Sequence, residues 1–212
     1  MKTSILLIIF IISYLIGAIP WGFIIAKLKG VDIREHGSGN IGATNVTRTI
    51  GKRWGVLCFF IDFLKGLLPV IAVKILFPSI WFLTPMQICF AIILTVLGTV
   101  LGHMYPIYLK FKGGKGVSTG AGALVAITPY AVICGLTVWI IVYKTSKFVS
   151  LASITAAIIV AILSFVFSVT NIYHIDNTLL YFVIFITLMA IYKHKSNIKR
   201  LINGTENSFR KK

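Results

Sequence analysis

Three polar segments interrupt an otherwise apolar chain of 212 residues. The first reads Gly37-Ser38-Gly39-Asn40-Ile41-Gly42-Ala43-Thr44-Asn45, followed by Arg48. Its small residues let the backbone approach a ligand closely. Successive N–H groups form an anion-binding concavity, the short polar side chains add donors, and Arg48 adds a guanidinium fork. The second segment reads Phe111-Lys112-Gly113-Gly114-Lys115-Gly116-Val117-Ser118-Thr119-Gly120. It opens an apolar run, so its N–H groups are expected at a helix N-terminus, where the partial positive charge favours phosphate. The third reads His194-Lys195-Ser196-Asn197-Ile198-Lys199-Arg200-Leu201, with Gly204 and Glu206 beyond. On a continuing helix, His194, Asn197 and Arg200 share one face at i, i+3, i+6. An imidazole, an amide and a guanidinium so placed suit a polyol phosphate; a basic tail on anionic lipid is the plainer alternative.

Other reaction types lack their signatures. The second segment is not a nucleotide P-loop, because Leu109 and Gly116 stand where that motif needs Gly and Ser or Thr. There is no His-Glu-x-x-His helix and no metal is expected. There is no Gly-x-Ser-x-Gly elbow, and no His is followed five positions later by Asp. Asp62 and Lys65 lie three apart inside an apolar run, and such ionisable pairs are usually mutual or functional. His103 reads equally as a site base or a helix-end hydrogen bonder. His36 and His174 read as structural. Ser150 and Ser153 open a helix, capping it or facing the site.

The elements that carry these segments are membrane helices. The chain is 58% hydrophobic and 12% charged, with a mean hydropathy of +0.94; soluble domains are about 45–50% apolar and about 25% charged. This composition excludes a disordered chain, and a soluble domain of this size has too little interior to hide it. Apolar runs cover 4–26, 54–77, 80–109, 117–143 with a break at Thr128–Pro129, 148–170 and 178–192. Most match the roughly 17–25 residues of a spanning helix. The first run is too long for a signal-peptide core and lacks a clean small-x-small site. Cys58, Cys89 and Cys134 all lie in apolar runs and read as small hydrophobes.

Charge gives the orientation. Lys and Arg outnumber Asp and Glu by 21 to 5. Nucleic-acid binders carry such charge on a soluble surface; here 18 of the basic residues fall in 27–53, 110–115, 144–147 and the tail after 192. Placing all four on the cytoplasmic side satisfies the positive-inside rule. The chain must then cross an even number of times between 115 and 144, so 117–143 becomes two short helices, with Pro129 as the breaker. The expectation is an all-α polytopic membrane protein of seven helices forming one domain over 1–212, N-terminus outside and C-terminus inside.

The three segments together resemble the bacterial acyl-phosphate:glycerol-3-phosphate acyltransferases, the PlsY family. The likeness rests on Gly37 through Asn45 with Arg48, on Gly102-His103-x-x-Pro106 through Val117, and on His194-x-x-Asn197-Ile198-x-Arg200-Leu201-x-x-Gly204-x-Glu206. Asp32-Ile33-Arg34 and Asp62-x-x-Lys65-Gly66 fit the same pattern, so the match runs through nearly the whole chain. The resemblance implies seven helices with all three motifs on the cytoplasmic side. It implies transfer of a fatty acyl group from acyl phosphate to the 1-hydroxyl of glycerol 3-phosphate, giving lysophosphatidic acid and inorganic phosphate. By carry-over, Ser38, Asn40, Arg48, Lys115, His194 and Asn197 hold glycerol 3-phosphate. Lys112, Gly113, Gly114, Lys115, Gly116 and Ser150 hold acyl phosphate. Ser38, Lys115, His194 and Asn197 serve the chemistry. Asn45, Asp62, Lys65, His103, Arg200 and Glu206 support them. The hydroxyl proton goes either to His194 or to the leaving phosphate. No cofactor is implied. The partners are the two substrates, the bilayer of the bacterial cell membrane and an upstream enzyme that forms acyl phosphate; no nucleic acid is implied.

Acyl phosphate is already activated, so such an enzyme needs positioning and charge stabilisation rather than its own nucleophile. The competing reading is an organic-phosphate transporter, which broken helices and basic loops also suit. Against it, the polar residues cluster at one face, and 148–170 and 178–192 carry no charge. A lipid-binding scaffold would not need two phosphate-type loops.

Overall fold

A computed structural model describes residues 2–81, 84–173 and 175–209. His174 and the tail residues Arg210, Lys211 and Lys212 lie outside the described residues. The described chain is helical and divides into two compact units, Met1–Ala126 and Ile127–Lys212.

The first unit holds α1 (Lys2–Ala18), α2 (Trp21–Lys27), α3 (Ala43–Ile50), α4 (Lys52–Trp81), α5 (Pro85–Met104) and α6 (Val117–Val125). Pro20 separates α1 from α2 within one apolar stretch. Gly17 lies inside α1, where an added Cβ would meet the Thr99 backbone of α5. Gly98 packs in the same way against Phe10 and Ser13, and Gly102 against Tyr14 and Ala18. In lipid, helix association relies on such close backbone approach at small residues. The pairing also gives a direction. Residue 98 meets 10–14 and residue 102 meets 14–18, so α1 and α5 run the same way and α4 returns between them.

α4 passes through Pro69 and Pro78, although the apolar runs suggested a boundary between 77 and 80. The entry to α5 comes later, at Thr84. Its side chain accepts from the Gln87 amide while Gln87 reaches back to the Thr84 amide, with Pro85 in the first turn. This capping box and proline define a helix start more strongly than Pro78 defines a stop. α4 and α6 cross at glycines: a Cβ on Gly66 would meet the Thr119 carbonyl, and one on Gly122 the Phe63 carbonyl. Lys74 Nζ of α4 donates to the carbonyl of Ala126 at 2.5 Å, capping the C-terminus of α6. A cation there satisfies an orphan acceptor and opposes the helix dipole.

The second unit holds α7 (Pro129–Ser146), α8 (Val149–Val169), α9 (Asn177–Lys193) and α10 (Lys195–Ile202). The expected break at Thr128–Pro129 is present: α6 ends at Val125 and Pro129 opens α7. Within the unit, Thr128 and Ser164 hydroxyls lie 3.2 Å apart and Trp139 Nε1 donates to Ser153 Oγ at 3.1 Å. Among the described residues, five helices are long and apolar enough to cross a membrane, or six if the pair α9 and α10, bent by 55°, counts as one span. Many large apolar side chains face outward, Leu7, Phe60, Leu68, Ile133 and Leu188 among them, as lipid-facing helices require.

Candidate active site

The first glycine-rich segment is a loop folded back onto the N-terminus of α3. Asn45 organises it. Its side chain is 1% exposed, its Oδ1 accepts from the Ser38 amide at 2.9 Å, and its Nδ2 donates to the carbonyls of His36 and Ile33 at 2.9 and 3.2 Å. One buried amide thus satisfies three backbone groups of the loop. Gly37 takes φ +60° beside that amide, where a Cβ would strike Asn45 Oδ1. Asn40 Oδ1 accepts from the Gly42 amide at 2.8 Å and so turns the chain into α3. Ser38 is exposed, and Arg48 is half-buried in the last turn of α3. Before the loop, the Arg34 side chain bonds the Asp32 carboxylate and holds it well below the usual carboxylate range, while His36 Nδ1 lies 2.9 Å from the Asp32 carbonyl. These contacts agree with a structural His36.

The second segment lies on the end of α5. The Gly114 amide donates to the His103 carbonyl at 3.0 Å. A Cβ at Gly113 would meet the carbonyls of His103 and Met104 and the Pro106 ring, and a Cβ at Gly114 would strike the His103 ring. Gly116 caps α6 with φ +78°, a conformation that favours glycine. Gly114 and Gly116 are buried, Gly113 and Lys115 half-buried, and Lys112 exposed. Beneath this loop lies a charged cluster. Asp62 Oδ1 is 2.7 Å from Lys65 Nζ and 3.7 Å from His103 Nδ1. Lys65 Nζ also donates to the Ile19 carbonyl at 2.9 Å, and Cys58 Sγ lies 3.6 Å from Asp62 Oδ2. The expected Asp62–Lys65 pair is therefore present, and His103 joins it. The sequence reading missed the Ile19 carbonyl and the Cys58 contact. The first carries no local signal, since Ile19 and Lys65 are 46 residues apart; the second does, because Cys58 and Asp62 are i, i+4 neighbours on α4.

The third segment belongs to the second unit. The helix does not continue straight through it: α9 ends at Lys193, His194 lies between, and α10 starts at Lys195 after the 55° bend. The continuing helix on which the three would share one face is thus interrupted: Asn197 and Arg200 lie on α10, and His194 sits at the bend as its N-cap. His194 is 3% exposed, and its Nδ1 is 2.7 Å from the Ala190 carbonyl. A carbonyl only accepts, so Nδ1 carries a proton and donates it to Ala190. Glu206 gathers the rest. Its Oε1 accepts from Asn197 Nδ2 at 2.7 Å and from Ser150 Oγ at 2.8 Å, and its Oε2 from Arg200 Nε at 2.7 Å. The carboxylate side chain is 4% exposed. Burial favours its neutral form, but the bonds from Asn197, Ser150 and Arg200 outweigh it and hold the carboxyl below the usual glutamate range. Ser150, expected with acyl phosphate, is thus bonded to Glu206, and Ser153 bonds Trp139. Among the described residues, no three His, Cys, Asp or Glu side chains cluster as metal ligands.

Glycine-rich loops with basic residues, set among helices long and apolar enough to span a bilayer, define the class as a polytopic membrane protein. A family model described as glycerol-3-phosphate acyltransferase matches residues 7–204. A glycerol-3-phosphate acyltransferase of Aquifex aeolicus is 46% identical over 204 residues, covering 96% of this chain and 98% of its own length. That of Geotalea daltonii is 40% identical over 206 residues, covering 97% and 98%. A crystal structure of PlsY, an integral membrane glycerol 3-phosphate acyltransferase, in its glycerol 3-phosphate form superposes with a TM-score of 0.83 at 45% identity. It covers 97% of this chain and 96% of that one; the lysophosphatidic acid form gives 0.81 at 44%, covering 97% and 95%. The chain belongs to the glycerol-3-phosphate acyltransferase family, as its three motifs suggested, and is a multi-pass membrane acyltransferase.

Proposed function

We propose that the protein transfers a fatty acyl group from acyl phosphate to the 1-hydroxyl of glycerol 3-phosphate. The hydroxyl oxygen attacks the acyl carbonyl, the carbonyl–phosphate C–O bond breaks, and the hydroxyl proton passes to a base. The products are lysophosphatidic acid and inorganic phosphate. The observation that carries this reading is the loop 113–116, whose glycine backbone is pressed onto His103 and feeds directly into α6. A Cβ-free backbone at a helix N-terminus is suited to a phosphate leaving group, and the relatives are named for acyl transfer to glycerol 3-phosphate.

In this reading Lys112, Lys115 and the glycines 113, 114 and 116 hold acyl phosphate. Ser150 is assigned to acyl phosphate as well, beside Glu206, and Ser38, Asn40, Arg48, Lys115, His194 and Asn197 hold glycerol 3-phosphate. The Nδ1–H of His194 is committed to Ala190, so Nε2 is the protein's acceptor for the hydroxyl proton, and the leaving phosphate is the other. General bases of this kind contribute about 10²–10⁴-fold. The chain crosses a bacterial cell membrane seven times, with α6 as a short crossing and the motifs facing the cytoplasm. The shared direction of α1 and α5 and the break between α6 and α7 support that topology.

The test is phosphate release by the purified protein given palmitoyl phosphate with and without glycerol 3-phosphate. Release that depends on the alcohol, with lysophosphatidic acid formed, is expected. No release from folded protein would overturn the reading, and uptake of glycerol 3-phosphate into vesicles would then identify a transporter.

A further inference from the structure

The cluster under the second glycine loop does more than neutralise buried charge. His103 touches the loop twice. Its carbonyl accepts from the Gly114 amide, and its ring lies where a Gly114 Cβ would stand. The ring is 4% exposed, so its orientation is decided by its neighbours. Asp62 is the anion beside it, 3.7 Å from Nδ1. That exceeds hydrogen-bond length, so the carboxylate acts on the ring through its field. Asp62 is itself held at 2.7 Å by Lys65, which is tied to the Ile19 carbonyl at the end of α1. The cluster therefore connects α1, α4 and α5 to the backbone of one loop.

We propose that Asp62 is a positioning residue for acyl-phosphate binding: it sets the His103 imidazole, which in turn sets the backbone of Gly113 and Gly114. This rests on the reading of that loop as the acyl-phosphate seat. A carboxylate that turns an imidazole to face it is a recurrent device for orienting a ring. Here the ring's far edge supports glycine backbone instead of reacting. The loop is tightly seated, with Gly113 against the Pro106 ring and two carbonyls, so a rotated ring moves the loop. Misplacing a binding group by about 1 Å can cost up to about 10²-fold.

The experiment compares Asp62→Asn, His103→Gln and Gly114→Ala with the unaltered full-length protein in phosphate-release assays, varying each substrate separately. Asp62→Asn is expected to raise the KM for acyl phosphate about tenfold while the KM for glycerol 3-phosphate stays within about twofold. The double variant Asp62→Asn with Gly114→Ala is expected to be no worse than its poorer parent, because both act on one loop. Asp62→Glu is expected to restore part of the loss. Multiplying effects in the double variant, or equal rises in both KM values, would overturn the proposal. If Asp62→Asn fails to accumulate in the membrane, His103→Gln decides: an unchanged KM for acyl phosphate overturns it. An unaltered protein that releases no phosphate would refute the function itself, which the variants then could not rescue.

Discussion

Glu206→Gln is an isosteric change with a predictable cost. The carboxylate accepts three side-chain bonds, at 2.7, 2.8 and 2.7 Å, from Asn197, Ser150 and Arg200. A glutamine amide offers one oxygen and one NH₂. With the oxygen toward Arg200, the NH₂ meets the Asn197 and Ser150 donors; turned over, it meets the guanidinium. Either way at least one bond to a charged group is lost, and such bonds contribute about 1.5–3 kcal/mol. The side chain is 4% exposed, so water cannot readily replace the lost partner. For a chain of this size 1 kcal/mol corresponds to about 2–4 °C, which puts the expected fall in the unfolding midpoint at about 3–12 °C. The assay is a thermal melt of the purified protein in mild detergent, followed by intrinsic fluorescence, with phosphate release measured at a permissive temperature. Because Asn197 loses its anchor, turnover is expected to fall as well. A midpoint within 1 °C and unchanged turnover would refute the view of Glu206 as the buried hub of the third motif.

The same carboxylate gives a pH dependence. Its folded pKa is lowered, so its stabilisation is complete above the ordinary glutamate range and is lost as pH falls through that range toward the lowered value; a melt series from pH 7 to 3 should show this loss, and Glu206→Gln should flatten it. Arg48→Ala and Lys115→Ala are expected to insert normally yet lose about 10²-fold or more in turnover, read by phosphate release against membrane abundance; near-normal turnover would remove them from phosphate binding. Replacing Cys58, Cys89 and Cys134 together with Ser should leave turnover largely intact, and loss of chemistry in a folded variant would point to a thiol step. These cysteines are buried or half-buried and free of disulfides.

Much of this protein is legible in its residue order. Long apolar runs announce the spans because a bilayer demands about 20 residues per helix. Pro129 announces the break between α6 and α7 because proline cannot continue the hydrogen-bond ladder. Three local motifs reveal the family because glycine loops and basic residues keep their spacing in the chain. The tertiary structure alone decides the rest. Gly17 is one small residue in an apolar run until the fold sets it against the Thr99 backbone. The apolar runs part between 77 and 80, but α4 continues through Pro78 and the next helix starts at Thr84. His194 reads as continuing a helix and marks a bend. Glu206 looks like a tail residue until Ser150, 56 positions away, bonds to it. The role of His103 appears only when Asp62 and Gly114 are seen on its two sides. Periodicity and capping act over a turn or two of chain. Contacts between residues dozens of positions apart are made by helices packing through space, and no local pattern encodes which faces meet.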